Sequence, residues 1–181
     1  MRRVSLTDVF NDPIAQKYLK RSGLAHAIST SFHAFELSIS HEVNPDLATK
    51  AALLHDIGHY EWYTDGTWDF QRYRENDIHA IKGAERAHKL LIKLGEKPQD
   101  AKKIAIAILL HTDSYLPDGE LAVSPLQKVV KLADELDEEP FGRHHYRKIE
   151  LHLASKKIAD LEMKVTQAVQ NRKKKSSSST A

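Results

Sequence analysis

Leu53-Leu54-His55-Asp56-Ile57-Gly58 closes an apolar helical run with an adjacent imidazole and carboxylate, then a glycine. Neighbouring side chains on a helix diverge by about 100° and do not normally grip one ligand together. At a helix end they can, if a cation sits beyond the terminus and other helices bring further donors.

Asn44-Pro45-Asp46 starts the helix that Leu47, Ala51, Leu53 and Leu54 carry to His55, and Gly58 closes it. Before it, residues 24–42 read as a helix built on Ala27, Phe32, Phe35, Leu37 and Ile39, with His33 inside it. Asn11-Asp12-Pro13 opens a shorter helix through Lys20, which Gly23 ends. Residues 60–76 place Tyr60, Trp62, Tyr63, Trp68, Phe70 and Tyr73 among charges without a period. They read as a long loop with one helical turn, either a lid or an aromatic cap on the core.

Asp77 to Leu94 is amphipathic and helical from near His79, and Gly95 ends it. Pro98 starts a helix whose run Ile104 to Leu110 is nearly all apolar and stops at His111, which predicts a central helix. Residues 112–123 read as a turn-rich loop. Ser124-Pro125 begins a helix carrying Asp134, ended by Pro140 and Gly142. A last helix runs from His145 to about Val169, long enough to pack against a second copy as a homodimer. There is no internal repeat and no convincing run of strands. The prediction is an all-α fold, with one domain over residues 1–170 and a disordered Lys/Ser tail over 171–181.

At 181 residues the chain fits one ordinary domain. No long uncharged apolar run suggests a membrane span, and Met1 to Leu6 lacks a signal-peptide core. The absence of cysteine excludes disulfides and thiolate metal sites and fits a cytoplasmic setting. Arg172, Lys173, Lys174 and Lys175 are four of the 27 basic residues and bring none of the 25 acidic ones. The rest of the chain therefore carries a net −2, and no basic body demands nucleic acid. With 11 histidines and no thiol, any transition metal would rest on imidazole and carboxylate.

The candidate donors are His33, His55, Asp56, His79, His111 and Asp134, each in or at the end of a different predicted helix apart from the adjacent pair. Such a set suits divalent Fe, Mn, Zn, Co or Ni, and carboxylates with waters could hold Mg. Six groups exceed what one catalytic ion takes while keeping an open position. Two ions sharing a carboxylate would use them all.

His33, then His55-Asp56 after 22 residues, then Asp134 within Val129 to Asp137, resembles the HD-domain superfamily of metal-dependent phosphohydrolases over roughly residues 25–140. His79 and His111 match the two extra histidines of its two-metal branches. His111-Thr112 and Glu139-Pro140 are similar to features of bacterial HD-type hydrolases of symmetric dinucleoside tetraphosphates. Cyclic-dinucleotide phosphodiesterases of the family instead carry two adjacent histidines at His111-Thr112. Many two-metal members carry a lysine where this chain has His59.

The resemblance implies an HD-domain helical bundle. It implies that His33, His55, Asp56 and Asp134 hold one metal and that Asp56, His79 and His111 hold a second. Asp56 would then bridge the ions, and His59 would serve catalysis by protonating the leaving oxygen or binding phosphate. Lys82 and Arg86, one and two turns beyond His79, and Arg143 could meet the substrate's phosphate. His26 is the rival for the first ligand. His33 is preferred because Phe35, Leu37 and Ile39 resemble the family's apolar run.

The implied reaction is hydrolysis of a nucleotide or another small phosphate ester or anhydride by a metal-activated water. Two alternatives share the scaffold: a di-iron oxygenase of the HD type, and a non-catalytic nucleotide-binding module signalling through the 60–76 loop or the tail.

Overall fold

The computed structural model describes residues 3–60, 63–64, 67–112 and 123–178. Its helices are α1 (Leu6–Asn11), α2 (Pro13–Ser22), α3 (Leu24–Ser40), α4 (Pro45–Leu54), α5 (Phe70–Asn76), α6 (His79–Leu94), α7 (Pro98–Leu109), α8 (Pro125–Glu135) and α9 (Leu151–Ser178). A 3-10 segment, Pro140–Tyr146, lies between α8 and α9. Strands β1 (Tyr63–Thr64) and β2 (Thr67–Trp68) form one short antiparallel pair between α4 and α5. The fold is all-α, as the periodicity predicts. None of the described helices is long and apolar enough to cross a membrane.

Prolines open α2, α4, α7 and α8 at their first turns, where a missing N–H costs nothing. Asp12 and Asn44 accept from the backbone N–H groups of Ile14 and Asp46, and Ser124 forms a capping box with Gln127. Gly23 takes φ 112°, ending α2 and starting α3 in a conformation that other residues rarely adopt. α1, which periodicity alone does not reveal, rests on a capping box between Ser5 and Asp8.

The central helix is α4, not the more apolar α7. All ten residues of α4 are buried, and α3, α7, α8 and α9 pack around it. α7 buries Ala101, Ile104, Ala107 and Ile108 but leaves its other side half-exposed. Even Lys50 is fully buried on α4, its Nζ 2.9 Å from Asp46 and 2.5 Å from Glu96.

Besides the last helix, which starts at Leu151 rather than His145, three local features differ from the sequence reading. Residues 63–76 hold a strand pair and a seven-residue helix rather than a loop with one turn. Helix α9 continues through residues 171–178 of the expected tail. Arg172 supplies a reason, since its guanidinium donates to the carbonyl oxygens of Glu42 and Val43 and ties α9 to the α3–α4 turn. Of the expected 112–123 loop, residues 113–122 lie outside the described residues.

The third difference is Gly58. It does not adopt the positive φ of a glycine that ends a helix. Its role is steric: a Cβ there would meet the His79 carbonyl oxygen at 1.8 Å and the Gly83 nitrogen at 2.4 Å. A Cβ on Gly83 would in turn meet the His55 carbonyl oxygen at 2.9 Å. These two glycines let α6 lie directly on the turn that follows α4.

Candidate metal centre

Five places along the chain bring imidazoles and carboxylates together. His26 comes from the first turn of α3. His55, Asp56 and His59 come from the end of α4 and its turn. His79 is the first residue of α6, His111 follows α7, and Asp134 is on α8. All are buried except Asp134, which is partly so.

The two oxygens of Asp56 face different partners. Oδ2 lies 3.3 Å from His55 Nε2 and 3.6 Å from His26 Nε2. Oδ1 lies 3.2 Å from His59 Nε2, 3.6 Å from His79 Nε2 and 3.7 Å from His111 Nε2. Asp134 Oδ1 closes the first group, 3.1 Å from both His26 and His55 Nε2. His59 stacks on His79 with ring centroids 4.1 Å apart. His26, His55 and Asp134 form one compact donor group; His55, Asp56 and His111, and Asp56, His59 and His79, form two more.

Hydrogen bonds behind the rings fix their tautomers. Nδ1 of His55 donates to the Ala52 carbonyl at 2.7 Å, and Nδ1 of His111 to the Ile108 carbonyl at 2.5 Å. Nδ1 of His26 donates to Asp137 at 2.7 Å, and Nδ1 of His79 to Asp77 at 2.6 Å. Carbonyls and carboxylates accept only, so each Nδ1 carries a hydrogen and each neutral ring presents a lone pair at Nε2. Yet His26 and His55 bring Nε2 to within 3.1 Å, as do His79 and His111. Two lone pairs at that distance repel unless positive charge lies beside them. The donor set therefore fits divalent cations.

The electrostatics of the pocket point the same way. Burial would raise the Asp56 carboxyl, but His55 and His59 beside it hold it well below the usual carboxylate range. Burial acts likewise on Asp134, and His55 and His26 overcome it. Burial would lower His55, but Asp56 and Asp134 raise it well above the ordinary imidazole value. His26 is raised by Asp134 and Asp137 against its own burial. The pocket is built to hold positive charge.

A third imidazole pair behaves differently. His144 Nδ1 accepts from the Glu139 N–H at 2.9 Å, so a neutral ring carries its hydrogen on Nε2. His145 Nδ1 donates to the Ser22 carbonyl at 2.8 Å, leaving a lone pair on Nε2. The two Nε2 atoms, 3.1 Å apart, make a matched hydrogen bond that needs no cation. Burial lowers His145 to about 3, which keeps it neutral. The pair anchors the 3-10 segment beside the centre, with His145 Nδ1 3.7 Å from Asp56.

The structure brings His55, Asp56, His59, His79, His111 and Asp134 together. It does not bring in His33. That side chain is 39% exposed and reaches Asp137 from its outer side, at 3.9 Å. His26 stands in its place. Seven residues make about two helical turns and roughly 10.5 Å of rise, so both histidines share a face of α3 and only one reaches the centre.

The three proposed phosphate contacts also lead elsewhere. Lys82 lies 3.8 Å from Glu85 on the outer side of α6. Arg86 donates to the Ile57 carbonyl at 2.7 Å and covers the Tyr18 ring at 4.1 Å, so it braces the 55–58 turn. Arg143 is exposed beside Phe141. Asp77, which orients His79, and the His144–His145 pair carried no sequence signal beyond being polar. Asp137 stands one turn after Asp134, and that spacing was the visible cue to its supporting place.

Residues 23–139, from the start of α3 to just past α8, match the family model described as HD domain. The chain belongs to the HD-domain family. It is 68% identical over 168 residues to "Putative phosphohydrolase YueE" of Bacillus subtilis strain 168, covering 93% of this chain and 96% of that one. The crystal structure of a "predicted HD superfamily hydrolase" from an uncultured Thermotogales bacterium superposes with a TM-score of 0.51. That match covers 90% of this chain and 88% of the other at 23% identity, a likeness of fold.

Proposed function

We propose that this HD-domain protein hydrolyses a nucleotide or another small phosphate ester or anhydride with two divalent ions. Family membership and the phosphohydrolase named among its relatives support a metal-dependent phosphohydrolase. The observation that carries the two-ion reading is Asp56, whose oxygens face separate sets of imidazoles.

In this reading His26, His55, Asp56 and Asp134 hold one ion. Asp56, His59, His79 and His111 hold the other. Bound divalent cations lower the pKa of water towards neutrality and neutralise phosphate charge. The chain's own part is to keep that charge localised. Asp137, Asp77 and the Ala52 and Ile108 carbonyls lock each ring with its lone pair inward. Burial strengthens each of these interactions by excluding water. His59, against Asp56 Oδ1, is assigned to the second donor set rather than to proton transfer alone.

The test is phosphate release by the purified chain from a panel of nucleotides, dinucleoside polyphosphates and p-nitrophenyl phosphate. Turnover should require added Mn²⁺ or a related ion, proceed equally without oxygen, and fall by about 10³-fold or more in Asp56→Ala. Metal-loaded protein inert across that panel would refute the reading.

A further inference from the structure

We propose that a second cavity, behind Asp137, is a binding site for a nucleotide-like phosphate separate from the metal centre. It has a volume of about 510 Å³ and lies between α3 and the chain from Arg147 to Lys157. That is the size range of small-molecule sites.

Its lining has two parts. Ile28, Phe32 and Ile149 make an apolar wall, and His33, Arg147, Lys148 and Lys157 make a basic one. Among the described residues no carboxylate lines it. Arg147 is already engaged by Asp137 and Glu139. Lys148 and Lys157 have no carboxylate partner among the described residues, and Lys157 lies 5.9 Å from the centre of the Phe32 ring. Two ammonium groups without a carboxylate partner among the described residues make this face electropositive and favour an anion, and the adjoining aromatic and aliphatic surface favours an apolar or planar body attached to it. A nucleotide has both.

Asp137 is the partition between the two sites. On one side its Oδ2 accepts from His26. On the other, Arg147 and His33, both lining the cavity, reach the same carboxylate. The cavity is thus beside the metal centre but not part of it, and its existence does not depend on the reaction assigned there.

Isothermal titration calorimetry tests this with ATP and inorganic tripolyphosphate. The titration uses the full-length Asp56→Ala chain, checked for folding by circular dichroism, so that binding at the metal centre is removed. ATP should bind, more tightly than tripolyphosphate, and Lys148→Glu/Lys157→Glu should weaken it by about tenfold or more. Both lysines are exposed, so the charge reversal should spare the fold. If Asp56→Ala does not fold, the same lysine reversal in metal-loaded wild type should remove one ATP site per chain while leaving p-nitrophenyl phosphate turnover intact. Absence of ATP binding in folded Asp56→Ala, binding indifferent to the lysine reversal, or tripolyphosphate binding as well as ATP would overturn the proposal.

Discussion

Gly58 and His79 meet backbone to backbone, since a Cβ on Gly58 would fall 1.8 Å from the His79 carbonyl oxygen. The contact presses α6 onto the turn after α4 and thereby sets His79 within reach of Asp56. Gly58→Ala must push the two elements apart. Overpacking of this kind costs about 1–3 kcal/mol. Thermal melts should show that loss, and phosphate release should fall with it because His79 is displaced. A Gly58→Ala variant with unchanged activity would show that the close approach does not position His79.

His26 and His33 make a paired test. His26→Ala removes a buried ring bonded to Asp137 and facing His55 and Asp134. Activity should fall by about 10²-fold or more. His33→Ala changes a half-exposed side chain and should leave activity within about twofold. The reverse order would restore His33 as the ligand.

That pair also marks how far the sequence could be read. Helix starts were legible at Pro13, Pro45, Pro98 and Pro125, because proline and its neighbouring caps act locally. His55, Asp56, His79 and His111 were legible because each stands at the edge of a helical pattern, and Asp134 because it extends an acidic helix. The choice between His26 and His33 was not. Periodicity gives a helix face, and these residues share one; position along the axis comes from packing of α3 on α4 and α8. Arg172 eluded the reading for a related reason, since its partners at Glu42 and Val43 lie about 130 residues away. His144 and His145 sit in a 3-10 segment, with Phe141 and Gly142 at positive φ, where no period points inward.

Lys50 provides a stability test away from the centre. Its ammonium is fully buried between Asp46 and Glu96. Lys50→Met would strip Glu96 of its ammonium partner and leave Asp46 to Arg3, 2.6 Å away. Losses of about 3–5 kcal/mol are usual when one partner of a buried pair is removed. Chemical denaturation should show a loss of that size, with the metal content of the folded protein unchanged. A variant as stable as wild type would show that the buried pair is dispensable.

Metal-free and metal-loaded protein should differ in their pH dependence. Without metal, His26 and His55 have raised pKa values, so their contribution is complete below the ordinary value of 6.5 and fades as pH rises through the folded values. Asp56 and Asp134 are depressed, so theirs is present above 3.8 and fades as pH falls. His145 is lowered to about 3, so its contribution is complete above 6.5 and fades as pH falls, and the metal-free chain should therefore melt highest near pH 6.5. Cations replace those protons, so loading should release protons at neutral pH and move the optimum upward. Melts across pH, with and without EDTA, measure this directly. Coincident curves would contradict it.

In the proposed function one carboxylate, Asp56, serves two ions. Elemental analysis of the folded wild-type chain alongside Asp56→Ala, His26→Ala and His111→Ala measures this most directly. Two divalent ions are expected per wild-type chain, about one in each histidine variant, and none in Asp56→Ala. One ion per wild-type chain, unaffected by His111→Ala, would contradict it.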